Sequence, residues 1–107
     1  MKSLTLSMCL LAAALPGAAV AGDAAAGKQK ALQACAVCHG QVGIAAAPET
    51  PNLAGEPAGY IARQLRAFRS GKRQHEVMGV IAKSLSDEEI DNVATWFSSI
   101  QVTATAP

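Results

Sequence analysis

Aromatic residues are scarce in this 107-residue sequence, which contains two Phe, one Trp and one Tyr. Charged residues make up only 16% of it, with nine Lys and Arg against eight Asp and Glu. A nucleic-acid-binding domain is expected to carry a clear basic excess, so this near balance sets that class aside. The sequence also lacks internal repeats and the alternation of apolar and polar residues that half-buried strands require. A small all-α domain is therefore the expected fold.

The longest predominantly apolar run lies near the N-terminus, from Leu4 to Leu15, and follows the basic residue Lys2. The small-residue sequence Ala19-Val20-Ala21 comes soon after it. This order is typical of a secretory signal peptide with an A-x-A cleavage site, so we expect residues 1–21 to be removed on export to the periplasm. A transmembrane anchor is the competing interpretation, but the run is short and nothing downstream is apolar enough to stop transfer.

The expected mature domain, residues 22–107, keeps only Cys35 and Cys38 of the three cysteines, because Cys9 lies within the apolar run. These two belong to the run Cys35-Ala36-Val37-Cys38-His39, a C-x-x-C-H pattern typical of covalent haem c attachment. Two thiols three positions apart on a helical turn can add to the two vinyl groups of one porphyrin, and the next residue then directs an imidazole at the iron. The sequence predicts one covalent haem with His39 as the proximal iron ligand.

Two other chemistries use a C-x-x-C pair. A structural zinc site needs two further well-spaced ligands, but His75 is the only other histidine and no second cysteine pair follows. A thioredoxin-like redox centre would place the pair at the start of a helix after a strand, whereas here it closes an alanine-rich helical stretch. Both interpretations fit the sequence less well than haem attachment.

Glycine and proline divide the rest of the chain into helices and loops. The first helix is predicted from about Asp23 to Cys38, and the second from about Tyr60 to Ser70. The last helix starts after the N-cap Ser86, with Glu89 completing a capping box. The glycine and proline residues between positions 40 and 59 predict a loop, and residues 72–79 are predicted to link two helices.

A haem that shuttles electrons needs a second axial ligand, and Met78 is the only methionine after residue 21. It is far enough from His39 along the chain for the backbone to pass round the haem edge and return on the opposite face. We therefore predict Met78 as the second iron ligand. His75 is the alternative, and two histidines would lower the reduction potential relative to a His/Met pair.

The ordered set of motifs resembles the class I cytochromes c, and more narrowly the small bacterial cytochrome c-553 and single cytochrome c4-like domains. The resemblance implies helices wrapped round one haem. It further implies that the Pro51 carbonyl accepts a hydrogen bond from His39, that Leu53 packs against the porphyrin, and that Gly27 and Trp96 mark a crossing of the first and last helices. The matching stretches are residues 35–40, 51–55, 60–73, Met78 and residues 85–94.

The resemblance implies a periplasmic one-electron carrier rather than an enzyme, acting between respiratory or dehydrogenase redox partners. We expect a monomer that docks transiently on donor and acceptor proteins and carries no membrane anchor once the signal peptide is removed. A stripe of basic residues on or near the second helix is either part of that docking face or a solvated helix face. Its members are Arg63, Arg66, Arg69 and Arg73.

Two other functions stay open at this point. The chain could be the haem subunit of a larger periplasmic dehydrogenase complex, although an obligate subunit is expected to expose a larger apolar patch than the sequence provides. It could also be a gas sensor or a peroxidase-like protein if Met78 did not bind iron. That alternative has only His75 as a distal acid–base candidate.

Overall fold

The computed structural model describes residues 1–2, 12–13 and 22–107. Every regular element within these ranges is an α-helix, which confirms the predicted fold class, and no helix there is long and apolar enough to cross a membrane. Nearly all of the predicted signal peptide, including Cys9, lies outside the described residues, and its cleavage stays a prediction. The helices are α1 (Ala24–Ala34), α2 (Ala36–His39), α3 (Ala58–Ser70), α4 (Glu76–Lys83) and α5 (Asp87–Ser99).

Helix α5 supplies four of the eight buried residues in the hydrophobic core of the described part of the chain. Its residues Ile90, Val93 and Phe97 are the largest fully buried side chains, and they pack with residues of α1 and α3. The predicted capping box is confirmed, because the Ser86 hydroxyl accepts from the Glu89 N–H and the Glu89 carboxylate accepts from the Ser86 N–H, both at 3.1 Å. The cap thus fixes where the central helix of the domain begins.

Helices α1 and α5 cross at Gly27, where a side chain would not fit. A Cβ atom on Gly27 would lie 1.9 Å from the backbone oxygen of Asn92 and 3.0 Å from the Cβ of Trp96. The start of α1 is fixed at the same place, since the Asp23 N–H donates to the Asn92 Oδ1 at 2.8 Å. The crossing expected of Gly27 and Trp96 is therefore present, with the backbone of Asn92 as the surface that α1 approaches.

Ion pairs tie α5 to both neighbouring helices. Lys30 of α1 lies 2.9 Å from Glu89, and Arg66 of α3 lies 2.9 Å from Asp91. Arg69 pairs with Asp87, and this hydrogen bond holds the pKa of the Asp87 carboxyl below its usual value. Two of the four arginines in the predicted basic stripe are thus ion-paired within the chain, and a third, Arg73, donates to the Gln64 side chain. These contacts favour a structural role for that face over docking.

Two predicted helix boundaries are wrong. The first helix was expected to continue to Cys38, but α1 ends at Ala34, because the Cys35 backbone (φ −119°, ψ −31°) departs from helical geometry before α2 begins. Residues 72–79 were expected to link helices, whereas α4 begins at Glu76. Its N-cap is His75, which is not among the residues that usually mark a helix start, so the sequence pattern did not reveal it.

We expect Gly27→Ala to lower the free energy of unfolding of the haem-loaded protein by about 1–3 kcal/mol, because α1 would have to move away from α5. Gly79→Ala is the matched control. Nothing lies within 4 Å of a Cβ at that helical position, so alanine there should stabilise by up to about 1 kcal/mol. Denaturant unfolding of both variants measures the difference, and equal stabilities would contradict this view of the crossing.

Candidate haem site

The C-x-x-C-H segment folds into the single turn of α2. The His39 N–H donates to the Cys35 carbonyl at 2.9 Å, and the Gly40 N–H donates to the Ala36 carbonyl at 2.9 Å. Gly40 ends the turn with a φ of 79°, a conformation that favours glycine. One helical turn together with its N-cap residue Cys35 therefore carries both thiols and the imidazole, as the spacing predicted.

His39 is almost fully buried, at 8% exposure, and its ring is fixed by one hydrogen bond. Its Nδ1 lies 2.9 Å from the carbonyl oxygen of Pro51. Because a carbonyl oxygen only accepts, Nδ1 carries the proton, and the lone pair of Nε2 is left free to bind a metal. The sequence resemblance implied this contact between Pro51 and His39, and the structure contains it.

The loop that presents Pro51 is held by backbone hydrogen bonds. The Gly43 carbonyl accepts from the N–H groups of Leu53 at 2.7 Å and Ala54 at 3.1 Å. A Cβ atom on Gly43 would lie 2.7 Å from the Ala54 nitrogen, so the two parts of the loop approach this closely only with glycine there. The Asn52 Oδ1 accepts from the Ala45 N–H at 2.7 Å. The three residues that follow Pro51 are thus held in position by hydrogen bonds.

A cleft separates the C-x-x-C-H segment from α4. The structure brings four predicted site residues to it: Cys35, Cys38 and His39 on one side, and Met78 on the other. The remaining lining side chains are apolar. They are Ala34, Val37, Val77 and Ile81.

Two of the other residues singled out from the sequence lie elsewhere. Leu53 is half-buried and packs against the hydrophobic core, and it is not among the residues that line the cleft. His75, the alternative second ligand, lines a separate groove with Phe68 and Lys83. The contact of Leu53 with the porphyrin thus stays a prediction. The position of His75 outside the cleft favours Met78 as the second axial ligand.

Sequence reasoning missed one structural role at the site, the capping of α4 by His75. The His75 Nδ1 accepts a hydrogen bond from the Met78 N–H at 3.2 Å. A signal was available: residues 76–83 contain no proline, and they lie between Gly71 and the Leu85-Ser86 start of the next helix. This helix was nevertheless hard to recognise, because the stretch contains Gly79 and no Ser, Thr, Asp or Asn precedes it as a cap.

Cys35 and Cys38 form no disulfide with each other, so both sulfur atoms are available for thioether bonds. Burial raises the pKa of the Cys35 thiol to about 11, and the nearby Lys30 ammonium opposes this shift. Before haem attachment Cys35 is consequently a neutral thiol near pH 7, in the apolar surroundings that a porphyrin also prefers.

These residues fit a haem c group. Two thiols three positions apart in the sequence adjoin an imidazole whose Nε2 is unprotonated, and a thioether lies on the opposite wall. The remaining lining side chains are aliphatic, as expected for a wall against a flat apolar ring system. Both the donor atoms and the apolar walls of the cleft are therefore suited to a haem c group.

Comparison with known proteins agrees with this fit. The family model described as cytochrome c matches residues 24–101. The chain is 43% identical over 82 residues to cytochrome c-554(548) of Halomonas halodenitrificans, covering 74% of this chain and 98% of that protein. It is 53% identical over 70 residues to the thiosulfate dehydrogenase electron acceptor of Stutzerimonas stutzeri, covering 64% of this chain and 32% of that protein.

The fold is similar to a solved structure as well. The crystal structure of reduced recombinant cytochrome c4 from Pseudomonas stutzeri superposes with a TM-score of 0.69 at 34% identity, covering 76% of this chain and 47% of that one. This chain therefore spans nearly the whole of cytochrome c-554(548) but about half of cytochrome c4. The family match extends over all five helices, and the chain belongs to the cytochrome c family, with covalently bound haem c as its cofactor.

Proposed function

We propose that this chain is a diffusible one-electron carrier of the periplasm, in which His39 and Met78 bind the haem iron from opposite sides. Haem c supplies an iron that gains and loses one electron. The observation that carries the proposal is the cleft itself, with an imidazole on one wall and a thioether on the other. A pair of protein ligands suits electron transfer, because it leaves no open position for a substrate.

The contacts of the protein keep these ligands in place when the charge of the site changes. Pro51 holds the His39 ring in one orientation and one tautomer. The aliphatic side chains of Val77 and Ile81 give the Met78 side of the cleft an apolar lining, which disfavours water there. Exclusion of water and a thioether ligand both raise the reduction potential relative to an exposed bis-histidine site.

The surface around the C-x-x-C-H segment suits transient docking. Val37, between the two cysteines, is 85% exposed and offers an apolar contact beside the expected thioether bonds. Electrons would pass through this edge to a partner without the formation of a bond. Small interfaces of this kind bind weakly and release quickly, as a carrier requires. We propose redox proteins as donors and acceptors, including dehydrogenases, since one relative is named as the electron acceptor of such an enzyme.

A second candidate is the haem subunit of a larger periplasmic dehydrogenase complex. One observation favours it: the chain covers only 32% of the thiosulfate dehydrogenase electron acceptor and 47% of the cytochrome c4 chain, so domains of this kind also occur within longer proteins. The near-complete match to cytochrome c-554(548) favours the free carrier instead, because that relative has the length of a single domain.

Met78→Ala tests the assignment of the second ligand. We expect the variant to keep its covalent haem through Cys35 and Cys38 but to lose the far-red sulfur-to-iron absorption band, with a high-spin ferric spectrum and a lower reduction potential. Val80→Ala is the matched control, since Val80 is on the same helix, 69% exposed and outside the cleft. Its spectrum should equal that of the parent protein. A far-red band in Met78→Ala would refute the ligand assignment.

Size-exclusion chromatography of a native periplasmic extract separates the two candidate functions. We expect the haem absorbance of this protein to elute at the size of the isolated chain, because a diffusible carrier leaves its partners between transfers. Purified protein run alone is the control for elution position. Recovery of the haem only in a large complex that survives moderate salt would contradict the carrier and support the subunit.

A further inference from the structure

We propose that His75 is a positioning residue for the second iron ligand, acting through the backbone of Met78. The amide of Met78 is among the first four of α4, which have no partner within the helix. The imidazole Nδ1 of His75 accepts its hydrogen bond, at 3.2 Å. This inference rests on the proposed function, because it takes Met78 as the residue that binds iron.

One residue holds the amides on both sides of the Met78 Cα. While the His75 ring accepts from the Met78 N–H, the His75 carbonyl accepts from the Gly79 N–H at 2.8 Å. The extended backbone of His75 (φ −158°, ψ 131°) turns the ring back over the first turn of α4. The base from which the Met78 side chain projects is thereby fixed.

The His75 ring is itself attached to the body of the protein. It packs edge-on against Phe68, with the ring centroids 6.2 Å apart and an angle of 74° between the planes. Phe68 belongs to α3 and is buried at 8% exposure. The guanidinium of Arg73 lies 4.5 Å from the Phe68 ring centroid and donates to the Gln64 side chain at 2.8 Å. A continuous series of contacts thus runs from α3 through Phe68 and His75 to the Met78 backbone.

Helix α4 needs this support more than the longer helices α1, α3 and α5 do. It has eight residues, Gly79 lies inside it, and Ala82 is its only fully buried side chain. Val77 and Val80 are more than half exposed. A short helix with little burial depends strongly on its cap, so His75 largely determines whether the first turn of α4 stays ordered.

The geometry separates this role from iron binding. His75 lines the groove on the far side of α4, together with Phe68 and Lys83, whereas Met78 lines the haem cleft. The two histidines also carry their protons on opposite nitrogens. His39 donates from Nδ1 to Pro51, but His75 accepts at Nδ1 and so holds its proton on Nε2. His75 therefore acts on the site through the helix and not as a ligand.

Two variants of the haem-loaded protein test this role. His75→Ala removes the cap, whereas His75→Asn keeps a short polar side chain that accepts from the same amide. Ser86→Ala is the matched control, because it removes the cap of α5, which carries no proposed ligand. Three readouts apply: hydrogen exchange at the Met78 amide, the far-red absorption band of the ferric protein, and the affinity of ferric protein for added imidazole, which competes with Met78.

For His75→Ala we expect faster exchange at the Met78 amide, a weaker far-red band and about fivefold tighter imidazole binding, since a typical cap changes an equilibrium by about that factor. His75→Asn should restore all three towards the parent values, and Ser86→Ala should lower stability without changing imidazole affinity. Unchanged imidazole affinity in His75→Ala, or an Asn variant no better than Ala, would overturn the positioning role. A parent protein with no far-red band would instead overturn the Met78 assignment, and this inference with it.

Discussion

The site depends first on the hydrogen bond between the His39 Nδ1 and the Pro51 carbonyl. That bond decides which imidazole nitrogen is protonated, and it directs Nε2 away from the loop. The loop in turn can hold Pro51 in place only because Gly43 lets the chain approach Ala54 closely. The lack of a side chain at Gly43 is in this way connected to the protonation of His39, the residue that we propose binds the iron.

The second constraint is the close approach of α1 and α5 at Gly27. It fixes α1, which ends at the residue before Cys35, relative to the helix that supplies half of the buried core residues. A domain of this size buries a modest core, and the fully buried side chains of this one are mostly small or aliphatic. A covalently attached haem adds apolar surface to that core, so we expect cofactor attachment and folding stability to be closely linked in this protein.

The sequence predicted the parts of the structure that are governed by local chemistry. The turn carrying Cys35, Cys38 and His39, the capping box at Ser86 and the all-α class each follow from residue types at fixed spacings. The contact between Pro51 and His39 required the family resemblance, since nothing in the spacing of twelve residues dictates it. Helix α4 was missed because a histidine cap and an internal glycine hide its start. The His75 ring packs against Phe68 of α3, a long-range contact that no sequence pattern shows.

The most direct test is a high-resolution crystal structure of the haem-loaded protein. We expect the His39 Nε2 and the Met78 sulfur to bind the iron from opposite sides, with the His39 Nδ1 still within hydrogen-bonding distance of the Pro51 carbonyl. Cys35 and Cys38 should each be joined to the porphyrin by a thioether bond. An open position opposite His39, a different ligand there, or a His39 ring turned away from Pro51 would contradict the central claim.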